Sequence, residues 1–177
     1  MVTTPVISTD LALAAVRAVV GLVVAAHGAQ KVFGVWGGTG LRGWIQAMGR
    51  MGIRPPTAWG YLTAGAELIG GIGLAVGLLV PVVAAVVTMQ MAVAIQRAHW
   101  AKGFWNGKGG IEFPLVLATV AAACGIADPG VYSLDRGLGI PTLGAGVYFV
   151  FVLVGWVLYF ASSRPARAER SGTTSAS

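Results

Sequence analysis

The sequence predicts an all-α integral membrane protein, and three observations carry that reading. Apolar residues make up 56% of the 177-residue chain and charged residues only 10%, with a mean hydropathy of +0.77. A water-facing domain carries about 25% charged residues, so most of this surface is suited to lipid. Apolar stretches of about 20 residues, the length that crosses a bilayer core as helix, recur along the chain. The basic residues gather in alternate connections between those stretches, as the positive-inside rule requires of successive crossings.

Five spans follow in order. Segment 1–10 carries no Lys or Arg, so it lacks the basic start of a cleaved leader. Residues 11–31 therefore read as a retained first span with Ser8, Thr9 or Asp10 as N-cap. In the connection 34–56, Leu41, Trp44, Ile45 and Met48 fall at i, i+3, i+4, i+7, predicting a short helix over 40–49 that lies in the headgroup region. The second span, 57–79, follows Pro55-Pro56, and Gly73 and Gly77 within it suit close helix packing. The third, 81–98, is split from the second at Pro81, which fits a first helical turn. Spans 111–127 and 141–161 complete the set, and 162–177 is a polar tail.

Charge orients these crossings. One set of connections holds Lys31, Arg42, Arg50 and Arg54, then Arg97, Lys102 and Lys108, then Arg164, Arg167 and Arg170. The other holds Arg136 against Asp10, Asp128 and Asp135. The N-terminus is thus expected outside and the tail in the cytoplasm. The net charge of +6 belongs to topology and to anionic lipid, and calls for no nucleic acid.

Ionisable residues inside spans are the candidates for function, because each costs about 2.5–3.5 kcal/mol at mid-membrane on insertion scales. Arg17, His27 and Lys31 share one side of the first span with the small residues Ala14, Gly21 and Gly28. Glu67 sits about 15 Å deep on the second, by the helical rise, among Gly60, Thr63, Ala64, Gly70 and Gly71. Its expected partner is Arg17 or His27, and spacing alone does not choose. Gln90 and Arg97 share a face of the third span, His99 follows, and Glu112 opens the fourth where the helix dipole favours an anion. Lys31 and Arg97 also suit snorkelling anchors, and His99 beside Trp100 an interface residue.

Several chemistries are excluded or weak. The single cysteine, Cys124, rules out an internal dithiol. No HxxxH or ExxH pair marks a metal site, and neither 71–77 nor 103–110 has the spacing of a phosphate loop. No haem or flavin motif is visible.

"HGAQK" after Arg17, "ELIGGIGLAVGLL" from Glu67, "GGIEFPL" at Glu112 and "GIADPGVYSLD" ending in Ser133, Leu134 and Asp135 together resemble the DoxX family of small bacterial membrane proteins. The likeness spans 17–135, and departs where family members carry a basic residue near the turn that is Val80-Pro81 here. It implies a four-helix transmembrane bundle over 11–140, in the bacterial cytoplasmic membrane, to which 141–161 adds a fifth helix for binding a partner. The family takes its name from a small subunit of a thiosulfate:quinone oxidoreductase, and some members are linked to oxidant defence. The resemblance therefore implies a subunit or accessory of a quinone-linked membrane oxidoreductase, with a redox partner protein supplying electrons. His27 and Glu67 would relay protons, and Arg17 or Lys31 would steady the anionic quinol. Gln90, Arg97, His99 and Glu112 would line the binding site. A proton-coupled transporter of small solutes and a structural scaffold are the alternatives.

Overall fold

The computed structural model describes residues 6–163; the polar tail from residue 164 on lies outside the described residues. Among these the chain is all helical: α1 (Val6–Phe33), α2 (Gly40–Arg50), α3 (Pro56–Val76), α4 (Val80–Ala94), α5 (Glu112–Ile126), α6 (Leu134–Gly137) and α7 (Ala145–Ser162). A π-helical turn, Ile95–His99, prolongs α4. Among the described residues four helices are long and apolar enough to cross a membrane: Thr9–Phe33, Pro56–Val76, Val80–Lys102 and Ala145–Ser162. The expected fourth span, α5, has 15 residues. That is about 22 Å at the helical rise, less than the roughly 30 Å hydrocarbon core, yet α5 runs from Phe113 beside His27 to the loop that holds Arg17, and so links the two ends of the bundle. The protein is a multi-pass membrane protein, and large apolar side chains such as Val19, Ile69, Val116, Leu153 and Phe160 point outward to lipid.

Helices α1, α3, α4 and α5 form a ring in that order, and α7 packs on its outside, chiefly against α4. The tightest pair is α1 with α3. A side chain at Gly21 or Gly71 would run into the backbone of Ala75 or Ala25, and one at Gly28 into Leu68 and Glu67. Lipid offers helices no hydrophobic drive to associate, so backbone contact of this kind supplies the packing. The same glycines set an antiparallel register in which Gly28 lies level with Leu68. Extending it puts Arg17 level with the end of α3, about 18 Å along the axis from Glu67.

One local expectation changes, and two gain detail. Helix α1 already begins at Val6, so Ser8, Thr9 and Asp10 lie within it instead of capping it. At Gly77 a Cβ would meet the Arg17 guanidinium of α1 and Ser133, so this glycine does allow a close approach. It ends α3 with a left-handed φ of 75°, a conformation open to a residue without Cβ. The apolar stripe of α2 rests on protein: Met48 is buried, and Ile45 fills the space over Gly60.

Candidate functional site

Arg17 and Glu67, both buried, belong to opposite ends of the bundle. Arg17 donates to the carbonyls of Pro129 (2.6 Å) and Tyr132 (2.8 Å) in the loop after α5. Asp135, also buried, accepts from the backbone N–H of Leu79 (2.8 Å) and Val80 (3.2 Å). These are amides at the start of α4 that have no partner within the helix, so the distant carboxylate caps it. Ser133 caps α6 and donates to Gly130 O, while Leu134 is exposed. This end is a fastening: Arg17, Ser133 and Asp135 tie one loop to the α3–α4 turn.

The other end holds a cavity of about 490 Å³. Five of the expected site residues line it: His27 and Lys31 from α1, Glu67 from α3, Gln90 from α4 and His99 from the π-helical turn. Glu67 forms an ion pair with Lys31, not with Arg17 or His27. Gly28 brings α3 against α1 at the level of Glu67, and the Lys31 stem reaches back one turn to the carboxylate. The Lys31 ammonium also sits over the Trp44 ring, 4.1 Å from its centre. His27 faces the other way, its ring edge-on to Phe113 of α5 at 5.8 Å.

The Gln90 amide, turned to satisfy both neighbours, donates to Thr63 O (3.2 Å) and accepts from Glu67 N (3.1 Å). It thereby joins α4 to the turn of α3 that carries Glu67. Trp44 Nε1 donates to Thr63 Oγ1 at 2.9 Å, so α2 lies across the cavity with its indole turned inward. His99 Nδ1 lies 2.6 Å from Gly109 O.

Two expected residues act beside the cavity. Arg97 Nε donates to Tyr159 Oη (2.6 Å), whose hydroxyl proton goes to Gln96 Oε1, and this latch holds the end of α7 to the π-helical turn. Glu112 accepts from Asn106 N (2.9 Å) and organises the loop before α5. Four wall residues escaped sequence reading as site members: Trp44, Thr63, Trp59 and Tyr159. Trp44 carried a signal, an indole on an amphipathic stripe. Tyr159, in the last turn of an otherwise apolar helix, carried almost none.

The rest of the wall is apolar, with Met48, Met51, Met89 and Met91 giving it an adaptable lining. Leu62 on α3 and Phe151 and Leu158 on α7 line the cavity yet stay 56%, 42% and 47% exposed. The cavity thus opens sideways, toward the lipid-facing cleft between α3 and α7. Among the described residues no group of three His, Cys, Asp or Glu is placed to hold a metal.

A family model, DoxX, matches residues 12–100. The chain belongs to the DoxX family. No curated protein and no solved structure matches it. The DoxX match takes in α1 to α4 and the π-helical turn, and so includes His27, Lys31, Glu67, Gln90 and His99. Helices α5 and α7 and the Ser133–Asp135 fastening lie beyond it. In this DoxX protein helix α7 supplies one wall of the cavity through Phe151, Gly155, Leu158 and Tyr159.

Proposed function

We propose that this DoxX protein is a subunit or accessory of a quinone-linked oxidoreductase or oxidant-defence system in the bacterial cytoplasmic membrane. Its N-terminus would lie outside and its C-terminus in the cytoplasm. The observation that carries the reading is the shape of the cavity: apolar over most of its wall, with His27, Lys31, Glu67 and His99 as its ionisable lining, and open toward lipid. A molecule with an isoprenoid tail and a small polar ring would enter from the bilayer and place its ring among those groups. Glu67, paired with Lys31, and His27 at the rim are the proton-exchanging groups of this reading. The chain has no dithiol, so a partner protein supplies or takes the electrons.

Purification from the native membrane in mild detergent tests the proposal. Extracted quinone at near one per chain, together with a co-purifying redox protein, is the expected result. Glu67→Gln and His27→Phe should each abolish partner-dependent quinone turnover while leaving the protein inserted and folded. Normal turnover in both variants would overturn the assignment. Proton-coupled solute flux in proteoliposomes, with no quinone retained, would replace it with the transporter reading.

A further inference from the structure

The polar atoms of the cavity are unevenly committed. Most of its hydroxyl and indole donors are already engaged: Trp44 Nε1 to Thr63, Thr63 Oγ1 to Trp59 O, Tyr159 Oη to Gln96, and Ser162 Oγ to Tyr159 O, while the Trp59 indole N–H has no partner among the described residues. Lys31 is held between Glu67 and the Trp44 ring. The two histidines are committed on one nitrogen each, and chemistry decides which nitrogen holds the proton.

Gly109 O can only accept, so His99 Nδ1 must be the donor, and in the neutral ring Nε2 keeps its lone pair. The loop that presents Gly109 O is built for the purpose. Gly109 N donates to Asn106 O (2.7 Å), Gly110 N to Trp105 O (3.1 Å), Ile111 N to Gly103 O (3.0 Å) and Glu112 N to Phe104 O (2.9 Å). A Cβ at Gly110 would collide with Gly103 O and Phe104, so the loop closes this tightly only with glycine there. The same logic applies to His27. Gln30 Nε2 donates to Trp36 O (3.2 Å), which leaves Gln30 Oε1 to accept from His27 Nδ1 (3.1 Å). In the neutral ring His27 Nε2 is likewise an acceptor, and neither Nε2 has a partner among the described residues.

We infer that this cavity recognises a ligand that donates hydrogen bonds from ring hydroxyls, so that it holds a hydroquinone in preference to the quinone. The inference rests on the quinone-linked reading for the ring but not for the hydroxyl. A quinone carbonyl offers only lone pairs and would meet two imidazole lone pairs. A hydroquinone offers protons to both.

The test uses the full chain in lipid nanodiscs, under anaerobic conditions, with decylubiquinol, decylubiquinone and the dimethyl ether of decylubiquinol as probes. Decylubiquinol should bind about tenfold more tightly than either of the others, the scale of one to two hydrogen bonds. His99→Phe should remove most of that preference. A readout without a variant comes from nitrogen NMR of labelled histidine. The chain has two histidines, and an Nε2 resonance should move toward the hydrogen-bonded position with decylubiquinol and stay still with the ether. Equal binding of hydroquinone and quinone, or of hydroquinone and ether, would overturn the inference and leave the quinone-linked reading intact. Binding of 4-decylphenol with the histidine shift, but of no quinone in either state, would uphold the donor rule and end the quinone-linked reading. No binding of any probe would overturn both.

Discussion

The two ends of this bundle each bury an ionic residue, yet they use it in opposite ways. At the α3–α4 turn, Arg17 is spent on the loop carbonyls of Pro129 and Tyr132, and Asp135 is spent on the amides of Leu79 and Val80. Charge there meets fixed backbone dipoles, and the result is a closed joint. At the other end, Lys31 and Glu67 meet each other beside a cavity whose wall also carries two imidazoles with Nε2 atoms unpartnered among the described residues. A buried charge compensated by backbone is structural. A buried pair compensated by side chains at the wall of a cavity can exchange partners and protons. The difference explains why two ionic residues, equally deep in the sequence pattern, have different roles.

The comparison can be broken most sharply at the packing beneath both ends. Gly71→Val places side-chain atoms in the backbone of Ala25, and should prevent α1 and α3 from closing. The variant should be lost from the membrane fraction, or should unfold in detergent at temperatures where the parent is intact.

Lys31→Met leaves Glu67 buried without its cation, a change that costs about 3–5 kcal/mol in buried pairs. It should lower both thermal stability and ligand retention. Adding Glu67→Gln should recover most of the stability and none of the function. Similar losses in the single and double variants would show that the pair does not interact.

Arg17→Met removes two charge-assisted hydrogen bonds, each worth about 1.5–3 kcal/mol at most. It should destabilise the protein by roughly 3 kcal/mol, while the surviving folded fraction binds hydroquinone with unchanged affinity. A large fall in affinity would join the two ends that the structure separates. Asp135→Ala should cost about 1–2 kcal/mol through loss of the cap, again without an effect on binding. Hydrogen exchange confined to the first turn of α4 would report it.

Much of the candidate site was legible in the sequence, because a charge within a lipid-length apolar helix must face protein and find a partner. His27, Lys31 and Glu67 came from that rule, Gln90 and His99 from their place on and just after the third span, and all five line one cavity. Arg17 satisfied the same rule and lies elsewhere. Periodicity places a residue on a face but says little about which element comes opposite at that height. Composition and run length likewise fix the all-α membrane class, since only helices long enough to satisfy their own backbone cross lipid in such a chain.

What the tertiary structure decided is partnership. Small residues at Gly21, Gly28 and Gly71 announce close contact, but only the packed pair shows that Gly28 meets Leu68 and so brings Glu67 within reach of Lys31. The protonated nitrogen of His99 depends on a carbonyl ten residues away, held by a loop whose hydrogen bonds close only when folded. Tyr159, more than fifty residues from Arg97 and Gln96, becomes part of the cavity because α7 docks on α4. Local pattern is governed by the chain's own geometry and its solvent, and a sequence displays both. Register, tautomer and the shape of a cavity depend on contacts between distant segments, and those exist only once the helices have packed.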